Sequence, residues 1–144
     1  MYYPYFRGKQ YDLITIRECA DIMSERGFVP IIEPVKEAVN GLIRAIDAVS
    51  DAGGSISLII NPRYGDLSAD PSRLIELLDS NYEHAANVYA GVLLTDETDV
   101  HQIENILESV GQRKKLFIHA GFTDARGLLS ILPRDDDSAH VFLD

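Results

Sequence analysis

A carboxylate, an amide, a hydroxyl, an imidazole and a second carboxylate close five successive apolar runs: Glu33, Asn61, Thr95, His119 and Asp144. Charged residues stand in the loops beyond the runs, at Arg7, Lys9, Lys36, Arg63, Asp66, Asp96 and Glu97. If the runs are parallel strands, their side chains alternate by two. Placing Ile32, Ile60, Val92, Leu94, Leu116, Ile118, Val141 and Leu143 toward covering helices sends the five terminal polar groups to one inner rim. Acid, base and cation would then surround one small anionic ligand. Arg63 supplies a planar fork that matches a carboxylate or phosphate. His119 is a candidate general base, oriented by Asp144. The candidate ligand-binding rim is therefore Arg7, Lys9, Glu33, Lys36, Asn61, Arg63, Asp66, Thr95, His119 and Asp144.

Each of these residues also has a purely structural reading. A buried Glu33 needs a partner, and Lys36, Arg63 and Arg7 are within reach in sequence. Asn61 to Asp66 (NPRYGD) reads as a turn held by Asn61 and Gly65. Thr95 to Asp99 (TDETD) reads as a solvated loop ending in a helix cap. His119 reads as a hydrogen-bonded rim histidine. Glu33, His119 and Asp144 have donor atoms suited to a divalent metal, but no spacing motif such as HExxH supports one, so no metal is assigned. The polar loop from Arg134 to Ser138 lacks the glycine and terminal glutamate of a calcium loop. There is no GxGxxG and no GxxxxGK[ST], so no cofactor is assigned either. Cys19 is the single cysteine, which removes an intrachain disulfide and a thiolate zinc site. Nothing in the chain supports nucleophilic catalysis, and whether it is an enzyme stays open.

The elements that must position the rim follow from periodicity. Apolar runs with β-branched or aromatic content lie at Tyr2–Phe6, Phe28–Ile32, Ile56–Ile60, Val88–Leu94, Lys115–His119 and His140–Leu143. Between them are segments with a 3.6-residue period, one of them starting at Ala38. Asp70-Pro71, Thr98/Asp99 and Thr123/Asp124 read as helix starts. Gly27, Gly53-Gly54 and Gly111 read as helix ends. "FVPIIEPVKE" and "ISLIINPRYGD" are equivalent strand ends, each stopped by a proline that lacks a ladder donor. The pattern predicts one α/β domain over residues 1–144, with six strands and five helices in parallel βα repeats. Regular spacing without a reversal signal favours a partial TIM-type (β/α) barrel; an open doubly wound sheet is the alternative.

The bulk numbers bound the function classes. At 144 residues, 46% hydrophobic and 25% charged, the chain has the composition of a soluble domain. A net charge of -10 argues against nucleic-acid and anionic-membrane partners, both of which require a basic footprint. No apolar run is long enough for a membrane span, and the first residues have no secretory h-region. The expected setting is the cytoplasm. Tyr2, Tyr3 and Tyr5 are expected to pack at the barrel bottom.

The opening YYPYFRGKQYDLITIRECADI, followed by VPIIEPVK, resembles the start of the bacterial and phage-associated "Beta protein" family. The residues that carry the resemblance are Tyr3, Pro4, Arg7, Gly8, Lys9, Pro30, Ile31, Ile32 and Glu33, with the Asn61-Pro62-Arg63 turn. The resemblance implies a TIM-type barrel of about twice this length, of which the chain would be the N-terminal part, and it implies no activity. Two functions are expected from different classes. One is a non-catalytic interaction scaffold from a phage- or mobile-element-related locus. The other is a TIM-barrel-type enzyme acting on a small anionic ligand at the rim. Six strands do not close such a barrel, so self-association or a protein partner is expected, with strand one or strand six at the interface.

Overall fold

Alternation of strand and helix runs through the whole chain. The computed structural model describes residues 1–36, 39–68, 70–134 and 136–143. Ala38 and Asp144, which the sequence assigned to a helix face and to the rim, and Asp135 of the polar loop, lie outside them. The elements are β1 (Tyr5–Arg7), α1 (Gln10–Glu25), β2 (Ile31–Glu33), α2 (Asn40–Asp51), β3 (Ile56–Ile59), α3 (Ser72–Tyr82), β4 (Val88–Thr95), α4 (Val100–Val110), β5 (Lys115–Ala120), α5 (Ala125–Ile131) and β6 (Ala139–Phe142). The strands form one parallel sheet in chain order, β1 through β6. Sequential order without a reversal winds the sheet in one sense, giving an open, curled half-barrel.

The sequence signals explain most boundaries. Asp99 caps α4 and forms a reciprocal capping box with Gln102. Asp124 accepts from the Gly127 N–H at the start of α5. Asp70 accepts from Ser72 N–H, and Pro71 precedes α3. Gly27, Gly53 and Gly111 adopt positive φ just past α1, α2 and α4. The first two strands begin three residues later than their apolar runs and end one residue later. Pro4 and Pro30 interrupt the runs, and regular pairing begins after each, carrying the ladder out to Arg7 and Glu33.

Two apolar layers result. The outer one packs sheet against helices and includes Ile32, Leu58, Ile60, Val92, Leu94 and Phe117 with Ile16, Ile46, Leu74 and Ile103. The inner, concave one holds Ile31, Ile59, Leu93, Leu116 and Ile118, with Tyr3 and Tyr5 against it. Thus β2, β3 and β4 follow the alternation expected from the sequence, whereas β5 and β6 are reversed. Leu116, Ile118 and Val141 face inward, and Phe117 faces the helices. Among the described residues no helix is long and apolar enough to cross a membrane.

Candidate functional site

Glu33 ends β2 on the concave side, opposite Arg7 of β1, and is only 4% exposed. Its Oε1 accepts from the Tyr5 hydroxyl at 2.6 Å, and its Oε2 accepts from the Arg63 backbone N–H at 3.0 Å. The carboxylate therefore ties β1 to the loop after β3. The partner in the Arg63 loop is the main chain rather than the guanidinium. Burial, then the bond to Glu33, raises the Tyr5 hydroxyl well above its ordinary pKa, because ionising it would place a second negative charge beside the carboxylate. Tyr5 was expected to be barrel-bottom packing; instead it is the acid's main partner. The signal was present, since alternation puts positions 5, 7 and 33 on one face once β1 is read as Tyr5–Arg7.

Asn61 stands where β3 leaves the sheet. Its amide donates to the Leu93 carbonyl at 2.9 Å and accepts from the Leu93 N–H at 2.8 Å. The side chain thus replaces one rung of backbone pairing beside β4. Thr95, 7% exposed at the end of β4, shares its hydroxyl with Thr98 and with the Glu97 N–H. These bonds shape the turn into α4.

The charged residues lie farther out. The guanidinium of Arg63 sits 5.5 Å from the Tyr64 ring centroid and that of Arg7 sits 5.9 Å from it. Arg63 also approaches Asp96 at 3.7 Å, an exposed pair of small energetic value. The Asp66 backbone N–H bonds the Val35 carbonyl. That contact, with Gly65 at φ 93 against the Val35 backbone, draws the β3 loop over the end of β2; a Cβ at position 65 would collide with Val35. Lys9 and Lys36 are exposed.

His119 does not join the rim. It registers opposite Leu94, whose side chain is in the helix-facing layer, so it lies on the opposite sheet face from Glu33. The inner rim position on β5 is Ala120, paired with Thr95. The sequence KLFIHA fits either alternation, and Phe117, its bulkiest apolar member, lies in the helix-facing layer. On that face Phe117, His140, His119 and Phe142 stack in succession, with His119 Nε2 and His140 Nδ1 2.9 Å apart. Burial, and secondarily His140, lower the His119 pKa. Asp144, its expected orienting carboxylate, lies outside the described residues.

The rim therefore brings together Arg7, Glu33, Asn61, Arg63 and Thr95; the side chains of Glu33, Asn61 and Thr95 are engaged with Tyr5, Thr98 and backbone groups, and the guanidiniums of Arg7 and Arg63 lie against the Tyr64 ring. A cleft of about 450 Å³ opens beside Asn61, Arg63, Thr95 and Gln102. Glu97 is the one carboxylate among its described lining residues; Glu33 stands outside it with both oxygens engaged. Among the described residues no three His, Cys, Asp or Glu side chains are grouped to hold a metal. Comparison with models of protein families, with curated proteins and with solved structures gave no match.

Proposed function

We propose that this chain is a non-catalytic interaction scaffold that pairs with a second copy of itself through strand β6. The observation that carries this is the uncovered edge of β6, where Phe142 is 72% exposed although it is stacked on His119. Helix α5 has only seven residues (Ala125–Ile131), too short to cover the ring stack along the full length of β5 and β6. The two sheet edges differ in kind. The β1 edge has three residues, a proline just before it and Arg7 at its end, which are features that discourage strand pairing. The β6 edge has four residues, no proline and exposed Phe142 and Leu143. Because Leu143 N–H bonds back to the His119 carbonyl, alternation turns the N–H and C=O of His140 and Phe142 to the open side.

Antiparallel pairing of β6 with its copy across a two-fold axis is self-complementary and closed. We also propose kinship with the Beta protein family and a cytoplasmic setting, where the free Cys19 stays reduced. In support of that kinship, residues that carry the resemblance fall into one structural unit: Gly8 N–H bonds the Glu33 carbonyl, a Cβ on Gly8 would stand 3.0 Å from Pro34 Cα, and Glu33 binds the Asn61-Pro62-Arg63 turn.

Sedimentation equilibrium tests the pairing. The wild-type chain is expected at twice 16.0 kDa, and Phe142→Asp, an exposed and charge-adding change, at the monomer mass. A monomeric wild type, or a dimer unaffected by Phe142→Asp, overturns it.

A further inference from the structure

We propose that the crevice between α1 and α2 is a binding site for a small phosphate monoester. A cavity of about 350 Å³ lies there, at the carboxyl end of β1 and β2, where βα folds place their ligands. Arg17 of α1, Arg44 of α2 and Lys36 of the loop between β2 and α2 line it together. Among the described residues none of the three has an ion-pair or hydrogen-bond partner. The chain has 23 acidic residues against 13 basic ones, yet no described acidic side chain lines this cavity. Three unpartnered cations facing one hollow in so acidic a chain repel one another, and an anion relieves that repulsion.

The shape is specific as well. Gly41 lets the two helices approach, since a Cβ there would stand 3.3 Å from Leu13 Cδ1. Leu13 and Ile14 give the cavity an apolar side, suited to the carbon portion of an organic phosphate. The first turns of α1 and α2 have no side-chain cap; the free N–H groups of α2, whose first turn holds no acidic residue, add to the positive field, while Asp12 offsets those of α1. Three cations outmatch a single carboxylate and suit a dianion, and two guanidiniums can grip phosphate oxygens in forks. The volume limits the ligand to a small molecule. None of this depends on β6, so the site stands or falls separately from self-pairing.

The test is a ¹H–¹⁵N titration of the full chain with inorganic phosphate, with glycerol 3-phosphate and with acetate, each at matched ionic strength. Both phosphates are expected to give saturable shifts at the amides of Gln10 to Leu13 and of Gly41 and Leu42, with glycerol 3-phosphate the tighter. The Arg17→Gln/Arg44→Gln variant, altered only at exposed positions, is expected to keep the wild-type spectrum elsewhere and to bind roughly tenfold or more weakly. Shifts that do not saturate, that acetate reproduces equally, or that survive the double substitution overturn the proposal.

Discussion

Replacing Tyr5 with phenylalanine removes the hydroxyl that donates to the most buried charged group of the rim. The Glu33 carboxylate, 4% exposed, keeps the Arg63 N–H but loses its 2.6 Å hydroxyl partner. A hydrogen bond to a charged group contributes about 1.5–3 kcal/mol, and water cannot easily replace it at this burial. For a chain of this size each kcal/mol moves Tm by roughly 3–4 °C, so Tyr5→Phe should lower Tm by about 5–12 °C. Urea unfolding at fixed protein concentration reads the loss directly. The alkaline limb gives a second reading. Tyr5 has its folded-state pKa raised above the unfolded value near 10. Folding therefore favours the protonated hydroxyl: its contribution is whole below about pH 10 and is lost as pH rises further, at about 1.4 kcal/mol per pH unit. Tyr82 behaves alike, raised by burial and then by its bond to Asp47, so Tyr5→Phe should remove about half of the alkaline slope. A Tyr5→Phe variant within 0.5 kcal/mol of wild type, with the alkaline slope intact, would refute the assignment of Tyr5 as the carboxylate's partner.

Three further outcomes are expected. Asn61→Ala should cost about 2–3 kcal/mol, because both ends of its amide serve the Leu93 backbone; Asn61→Asp should cost more, since one carboxylate oxygen then faces the Leu93 carbonyl, and equal stability of all three proteins by urea unfolding would contradict the rung. Ser57→Ala should be neutral or up to about 1 kcal/mol stabilising, because the Ser57 hydroxyl is buried and, among the described residues, has no partner; a loss above about 1 kcal/mol would reveal a partner. His119 has its pKa lowered by burial and by His140, so its contribution is present above the unfolded value near 6.5 and is lost as pH falls through the lower folded value; His119→Phe should flatten the acid limb of a stability–pH curve, and an unchanged limb would place the titration elsewhere.

The architecture was legible in the sequence because helix and strand periods alternate cleanly, and because Asp99, Asp124, Gly27 and Gly111 mark boundaries by local chemistry. The inner rim was legible on β2, β3 and β4, where the polar residue breaks an unambiguous apolar alternation. It was not legible on β5, where Leu116, Phe117 and Ile118 are all fully buried and hydrophobicity no longer distinguishes the two faces. There the choice rests on volume and on the fit of Phe117 under the helices, which are properties of the assembled core. Local pattern also could not show that Arg63 would serve Glu33 through its main chain, or that Arg17 and Arg44, on different helices, share one crevice.

Amide hydrogen exchange along β6, followed below and above the association midpoint, tests edge pairing most directly. The N–H groups of His140 and Phe142 face the open side of the sheet, whereas that of Leu143 already bonds His119. Pairing with a second copy requires that His140 and Phe142 exchange quickly in dilute protein and become protected as concentration rises, with Leu143 slow throughout. Fast exchange at His140 and Phe142 at every concentration, with the edge strand β1 gaining the protection instead, would contradict it.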